Sequence, residues 1–188
     1  MSNPKFSIVI PIYNAESTIA RTIASLKEFD FTDYEVLLIN DGSTDQTEAI
    51  ITRLIENDPK FRLITTANQG PGLARNEGIM QAQGTYILFF DADDTPKKEV
   101  LSDYDKLLAK HPDTDLIVSS FIFRTMDGEQ IISEKENLVT EHHYQSHDSF
   151  IKDMYRLMND QLMYVVWNKC YRRDILKQNQ LLFKGYNS

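Results

Sequence analysis

The chain has 188 residues, of which 41% are hydrophobic and 26% charged, enough apolar material for one substantial core. Its formal net charge of −8 argues against a protein that grips nucleic acid non-specifically. The single cysteine, Cys170, excludes an internal disulfide framework and favours a reducing compartment. The chain has no apolar run of transmembrane length and no signal-peptide pattern at its N-terminus. We therefore expect a soluble, cytoplasmic, globular chain.

The first half of the chain alternates short apolar runs with amphipathic segments. The runs predict strands at 6–12, 35–40, 61–66 and 86–90, with helices between them. Asn14 is predicted to cap the first helix, and Ser43 with Gln46 forms a capping-box pattern for the second. Alternation of this kind is typical of βαβ units. The predicted fold class is therefore α/β, a Rossmann-like, mostly parallel sheet flanked by helices on both faces.

The second half is less regular. A helix is predicted at 97–110, a strand at 115–123 and a hairpin turn at Asp127-Gly128, with a returning strand at 130–132. The polar residues 133–146 suggest a mobile loop. Two further helices are predicted near 147–158 and 173–178.

The most informative stretch is the apolar run Tyr86–Phe90, which leads directly into Asp91-Ala92-Asp93-Asp94. A run of this kind is typical of a strand buried on both faces of a parallel sheet. Carboxylates crowded at its end repel one another, and a divalent cation with phosphate ligands would remove that cost. The alternative is that the acids cap the following helix through Asp94, but one cap needs one acid, not three.

Other polar residues follow the neighbouring strands and should lie at the same edge of the sheet. Tyr13 offers an aromatic face for a base, and Asp41 can accept a hydrogen bond from a ring N–H. Arg75, one turn into a helix opened by Gly70-Pro71-Gly72, suits phosphate charge. The alternatives are loop packing for Tyr13, a turn and cap for Asp41, and a solvated helix charge for Arg75. Their convergence at one edge favours a nucleotide-diphosphate site.

Four segments together resemble the successive signatures of family 2 glycosyltransferases, in the family's order and spacing, over roughly the whole chain. They are residues 10–16 (IPIYNAE), residues 40–45 (NDGSTD), Asn68-x-Gly70 with Ala74-Arg75-Asn76, and residues 91–94 (DADD). The resemblance implies a nucleotide-diphospho-sugar transferase fold of the GT-A type. It also implies a UDP-sugar or related donor, Mn²⁺ or Mg²⁺ as cofactor, and transfer with inversion.

The resemblance also implies roles for individual residues. Pro11, Tyr13 and Asp41 would hold the base, and Arg75 would lie near the phosphates. Asp91-Ala92-Asp93 would form the donor-binding acidic motif, with Asp91 and Asp93 as metal ligands. Trp167-Asn168-Lys169 resembles the segment on the acceptor side. Residues 1–188 would then form one glycosyltransferase domain, with a nucleotide-sugar-binding half (1–95) and an acceptor-side half (96–188).

One departure from the family pattern concerns catalysis. Members usually carry a Glu-Asp pair after a segment like residues 182–186, and its Asp serves as general base, but no such pair is present here. We therefore expect the base to lie beyond Ser188 and this segment to bind donor without efficient transfer. The family also implies a saccharide or glycolipid acceptor, with peripheral association at the inner face of the membrane.

Two other functions compete with sugar transfer. A sugar-phosphate nucleotidyltransferase would want a glycine-rich basic loop after the first strand, and residues 11–16 supply neither glycine nor a base. A non-catalytic nucleotide-sugar-binding segment would share every donor residue. A dinucleotide oxidoreductase is disfavoured because no Gly-x-Gly-x-x-Gly follows the first strand.

Overall fold

The computed structural model describes residues 3–128 and 130–185. Its strands are β1 (Phe6–Ile12), β2 (Tyr34–Asn40), β3 (Phe61–Thr65), β4 (Tyr86–Phe89), β5 (Leu116–Val118), β6 (Phe121–Asp127), β7 (Gln130–Asn137) and β8 (Lys169–Arg172). Its helices are α1 (Ile19–Lys27), α2 (Thr47–Ile55), α3 (Pro71–Gln81), α4 (Val100–Lys110), α5 (His147–Asn159) and α6 (Arg173–Gln178). The predicted alternation of strands and helices through β4 is confirmed. Every helix within the described ranges is too short or too polar to span a bilayer.

Six strands form one sheet in the order β3-β2-β1-β4-β8-β5. β1 runs parallel to β2 from Phe6↔Tyr34 to Ile12↔Asn40, and parallel to β4 as far as Val9↔Phe89. β8 runs antiparallel to its neighbour β4, from Tyr86↔Arg172 to Leu88↔Cys170. The predicted α/β fold class, a mostly parallel sheet flanked by helices, is confirmed.

The core of the sheet lies in its three adjacent strands β2, β1 and β4. All the residues of these strands are buried, polar ones included, as a parallel sheet covered on both faces requires. The predicted doubly buried strand before the acidic cluster is thereby confirmed. The buried Ser7 hydroxyl, at the start of β1, donates to Glu35 Oε1 of β2 at 2.6 Å, so neither polar side chain is buried without a partner.

Three helices begin later than the sequence predicts. α1 begins at Ile19 and not after Asn14, which instead has a φ of 47°. α2 begins at Thr47 without a side-chain cap, so the predicted capping box at Ser43 is wrong. α4 begins at Val100, with Glu99 as its N-cap, so Asp94 does not cap it. In each case the polar residue is used in a loop contact that the sequence pattern could not show.

The described chain divides into two compact units, one containing residues up to 116 and from 170 onward, the other residues 117–169. In the second unit β6 and β7 form an antiparallel hairpin around Gly128, as predicted. The predicted strand 115–123 is divided, because the Ser119 N–H leaves the ladder and donates to the Asn168 carbonyl at 2.9 Å. The predicted loop from 133 is wrong as far as Asn137, since those residues form β7. The proposed halves 1–95 and 96–188 stay a prediction.

Gly78 is where α3 comes closest to the sheet. A Cβ at this position would lie 2.1 Å from Cγ1 of Val9 in β1. Gly78 has an ordinary helical conformation, so its requirement is for space. The glycine therefore sets how closely α3 can approach β1.

We expect Gly78→Ala to destabilise the fold by roughly 1–3 kcal/mol through overpacking, although alanine is the better helix former. Urea unfolding followed by far-UV circular dichroism measures the loss. Met80→Ala, at an exposed position of α3, is the matched control. A Gly78→Ala variant as stable as the control would contradict this packing.

Candidate functional site

The carboxyl ends of β1, β2 and β4 lie side by side, with β1 in the middle. The N–H of Asp41 donates to the carbonyl of Ile12 at 2.8 Å, and that of Phe90 to Val9 at 3.2 Å. The segments that follow these strands therefore leave the sheet at one edge. This edge brings together Tyr13, Asp41 and the cluster that begins at Asp91, as predicted from the alternation of strands and helices.

Asp41 fixes the start of α3. Its side chain is buried, and its two carboxylate oxygens accept the backbone N–H groups of Gln69 at 2.9 Å and Gly70 at 2.7 Å. Gly70 is the N-cap of α3 and has a φ of 90°, which favours glycine. Asp41 thus determines where the first turn of α3, and with it Arg75, lies. Its predicted contact with a base stays a prediction, for which Oδ2 keeps a second lone pair, while Oδ1 also accepts the Thr66 hydroxyl at 3.4 Å.

The loops after β1 and β2 are bonded to each other. The Asn14 N–H donates to Ser43 Oγ at 3.0 Å, and the Thr44 N–H donates to Asn14 Oδ1 at 2.8 Å. These two bonds run in opposite directions between the same two loops. Asn14 and Ser43 therefore hold the loops together, which is why neither caps a helix.

A second set of bonds reinforces this pairing. The Glu16 N–H donates to Asp45 Oδ2 at 3.2 Å, and the Gln46 N–H donates to Glu16 Oε2 at 3.0 Å. The Ala15 N–H donates to Thr47 Oγ1 at 2.8 Å. The loop on which Tyr13 stands is thus fixed relative to β2. The sequence predicted none of these pairs, although both loops show a surplus of short polar side chains.

The acidic cluster forms a tight turn stabilised by Asp94. Oδ2 of Asp94 accepts the N–H of Asp91 at 2.8 Å, and the N–H of Asp94 donates to the Asp91 carbonyl at 3.1 Å. Burial, with the nearby carboxylates of Asp91 and Asp93, raises the pKa of Asp94 to about 6. Asp94 is therefore the structural member of the cluster.

Helix α1 holds the other side of the turn. Thr22 Oγ1 donates to the Ala92 carbonyl at 2.9 Å, and an Arg21 N–H approaches the Asp93 carbonyl at 3.4 Å. With the backbone fixed, the Asp93 side chain is left exposed. Asp91 and Asp93 are then the two acids of the cluster whose carboxylates do not hold the turn.

Arg75 forms an ion pair with Asp91. Its Nη2 lies 2.6 Å from Asp91 Oδ1, and its side chain is only 14% exposed. Its Nε is buried and has no hydrogen-bond partner among the described residues. The interpretation of Arg75 as a solvated helix charge is therefore wrong. Arg75 brings a positive charge to the acidic cluster.

The remaining donor-side residues differ in exposure. Pro11 is buried near the end of β1, where it pairs in register with Ile39. Tyr13 is 51% exposed, which argues against simple loop packing and leaves its ring accessible. Both positions suit the predicted role at a base, which stays a prediction.

The three predicted acceptor-side residues belong to the second unit. Trp167 packs edge-on against Phe121, with ring centroids 4.6 Å apart. Asn168 and Lys169 are buried, and the Asn168 amide donates to the carbonyls of Ser119 and Leu162. The Lys169 ammonium donates to the carbonyls of Leu162 and Val165 and to Asn168 Oδ1. In this structure Asn168 and Lys169 hold the loop before β8, and contact with an acceptor stays a prediction.

The predicted metal ligands are Asp91 and Asp93. In the described ranges no three His, Cys, Asp or Glu side chains form a ready metal cluster. The oxygen donors and the unpartnered Arg75 Nε nevertheless fit a hard cation that shares phosphate oxygens with a neighbouring guanidinium. Asp91 would have to be shared with, or released by, Arg75.

Asp41→Asn should destabilise the turn at residues 69–70. An asparagine offers one acceptor oxygen, and its NH₂ group would face an N–H donor, at a cost of about 1–3 kcal/mol. Urea unfolding by circular dichroism, with Asp103→Asn on the exposed surface of α4 as control, measures this. Equal stability of the two variants would show that the Asp41 bonds contribute nothing.

Lys169 should make stability depend on pH in the alkaline range. Burial lowers the pKa of its ammonium from 10.5 to about 8, so between these values only the unfolded chain holds the proton. Unfolding then takes up a proton, and stability should rise with pH across this window, by at most about 3 kcal/mol. The comparison is with Lys169→Met, by urea unfolding monitored through the single tryptophan, Trp167. Parallel pH profiles for the two proteins would contradict the shift.

Comparison with known proteins identifies the family. The model for Glycosyl transferase family 2 matches residues 7–179. The Staphylococcus aureus poly(ribitol-phosphate) beta-N-acetylglucosaminyltransferase TarS is 31% identical over 187 residues, which cover 95% of this chain and 29% of TarS. The uncharacterized glycosyltransferase YibD of Escherichia coli is 33% identical over 186 residues, covering 97% of this chain and 52% of YibD.

Solved structures agree. A crystal structure of S. aureus TarS 1–349 in complex with UDP-GlcNAc matches with a TM-score of 0.70 and 29% identity, over 96% of this chain and 49% of that one. This chain thus spans about half the length of YibD and of the crystallised part of TarS. With the fold, the edge site and these matches in agreement, the chain belongs to glycosyltransferase family 2.

Proposed function

We propose that the chain is the donor-binding segment of a sugar transferase that uses a nucleotide-diphospho-sugar, with UDP as the nucleotide. The observation that carries this proposal is the Arg75–Asp91 pair beside the exposed Asp93, at the edge where three parallel strands end. A diphosphate carries several negative charges, and these can be balanced by a guanidinium from the protein together with a metal ion held by carboxylates.

The remaining donor contacts follow from the loops that the structure fixes. Tyr13, with its exposed ring, would stack on the base, beside Pro11, and Asp41 would accept from the ring N–H. Ala92 would lie at the ribose, between the two acids. Support for UDP comes from TarS, whose crystal structure contains UDP-GlcNAc.

Mn²⁺ or Mg²⁺ would be held by Asp91 and Asp93 together with phosphate oxygens. When bound, such a cation neutralises the charge that develops on the leaving diphosphate. The Arg75 guanidinium would exchange its ion pair with Asp91 for one with a phosphate oxygen. Asp94 would keep the turn closed during this exchange. The protein would thus contribute a preformed backbone and one guanidinium that exchanges its anionic partner.

Transfer would proceed with inversion. The acceptor oxygen would form a bond to the anomeric carbon as the bond to the diphosphate oxygen breaks, while a general base takes the acceptor proton. We propose that this base lies beyond Ser188. Residues 186–188 are outside the described residues. The acceptor would be a saccharide or a lipid-linked saccharide, reached by the whole protein at the inner face of the membrane, with Trp167, Asn168 and Lys169 on the acceptor side.

Titration calorimetry with UDP, in the presence and absence of Mn²⁺, tests the donor site. We expect UDP binding to depend on the metal and to weaken at least about tenfold in Asp93→Asn, since even supporting residues around a metal are typically worth that much.

Asp103→Asn, which removes an exposed carboxylate from α4, should bind UDP as the parent chain does. Metal-independent binding that ignores Asp93 would refute the site. Turnover of a UDP-sugar by residues 1–188 at a rate comparable to a longer protein would refute the placement of the base. Binding without turnover is also what a non-catalytic donor-binding segment would show, and only a longer protein that transfers sugar separates the two.

A further inference from the structure

The last described residues of the chain are fastened to helix α3. We call residues 181–185 the C-terminal strap. The Asn76 side chain donates to the Phe183 carbonyl at 2.9 Å and accepts the Phe183 N–H at 2.9 Å, across 107 positions of sequence. This pair of bonds satisfies both backbone groups of one residue with a single amide side chain. A contact of this geometry fixes the position of Phe183 along α3.

A glycine in the first turn of α3 allows the strap to lie this close. A Cβ on Gly72 would stand 2.8 Å from the Lys184 carbonyl oxygen and 3.3 Å from the Phe183 Cβ. The position does not need a left-handed backbone, because it lies within a regular helix. Gly72 is therefore required by the strap.

The strap places the Phe183 ring against Arg75. The ring centroid lies 5.6 Å from the guanidinium carbon, and the guanidinium also contacts Asp91, whose Oδ1 lies 2.6 Å from Nη2. The ring also meets Phe89 of β4 edge-on, with centroids 5.4 Å apart. Phe183 is thus supported by the core while it supports the cation of the donor site.

We propose that Asn76 is a positioning residue for the donor diphosphate. It acts through the strap, because it holds Phe183 where the ring can keep the Arg75 guanidinium in place when a phosphate replaces Asp91 as its partner. A contact between a guanidinium and an aromatic face is worth the most where water is excluded, as for this largely buried side chain. The inference rests on the proposed function, since it assigns the diphosphate to Arg75.

Two variants release the strap by independent means. Asn76→Ala removes both bonds to Phe183, and Gly72→Ala introduces a methyl group against the Lys184 carbonyl. Both substitutions favour the helix itself, so neither should unfold α3. Phe183→Leu keeps the backbone bonds and removes only the ring. Met80→Ala, exposed on the same helix, is the matched control.

The measurements are amide hydrogen exchange at Phe183 and calorimetric titration with UDP and Mn²⁺. In Asn76→Ala and Gly72→Ala, exchange at Phe183 should accelerate at least about tenfold, and UDP affinity should fall between about twofold and thirtyfold. Phe183→Leu should lose similar affinity while exchange at position 183 stays slow. Met80→Ala should change neither quantity.

Faster exchange at Phe183 with unchanged UDP affinity would overturn the positioning role. The strap would then only cover α3, without affecting donor binding. Unchanged affinity in Phe183→Leu would overturn the role of the ring. If the parent chain does not bind UDP, the proposed function and this inference both fail. If the parent chain binds UDP and the variants bind it equally well, only this inference fails.

Discussion

The arrangement of the site depends on charge crowded at the end of a buried strand. β4 delivers Asp91, Asp93 and Asp94 to one turn, where the carboxylates repel one another and the burial of Asp94 adds a desolvation cost. The structure compensates in two ways: Asp94 accepts a backbone N–H and has its pKa raised to about 6, and Asp91 pairs with Arg75. One carboxylate has thus become structural, while the charge on Asp91 is balanced by a side chain that a phosphate can attract. Under the proposed function, a metal–diphosphate complex would supply the positive charge that Asp91 and Asp93 still require.

Two tertiary contacts determine the position of Arg75, one at the start of its helix and one at its guanidinium. Asp41 bonds the N–H groups of Gln69 and Gly70 and so fixes where α3 begins, one turn before Arg75. On the other side, the strap presents Phe183 to the guanidinium. Neither contact is local in sequence, because Asp41 follows β2 and Phe183 lies near the end of the described chain. Phe183 thus holds the guanidinium, and the buried Asp41 carboxylate holds the start of α3.

The alternation of strands and helices, the parallel sheet and the edge that collects Tyr13, Asp41 and Asp91 could be predicted, because apolar periodicity and strand-end polarity are local signals. The roles of Asn14 and Ser43 could not. Each residue type is a common helix cap, and only the tertiary structure shows that they bond across two loops. The start of β7 was predicted, but its continuation over residues 133–137 was missed, because these residues are polar and, except for Asn137, exposed. This part of the strand is defined by pairing with β6, with help from the Arg124–Glu134 ion pair. The strap was invisible for a similar reason, since nothing in residues 181–185 points to Asn76.

Under the proposed function, Arg75 exchanges Asp91 for a diphosphate while Asp91 and Asp93 take up a metal. Diffraction from crystals grown with UDP and Mn²⁺, measured at a wavelength where manganese scatters anomalously, tests it directly. We expect one manganese peak within bonding distance of an Asp91 or Asp93 oxygen, at roughly 2.0–2.3 Å, with the Arg75 guanidinium on a phosphate oxygen and no longer on Asp91. A UDP molecule bound with the Arg75–Asp91 pair intact, or a manganese peak away from both acids, would contradict it.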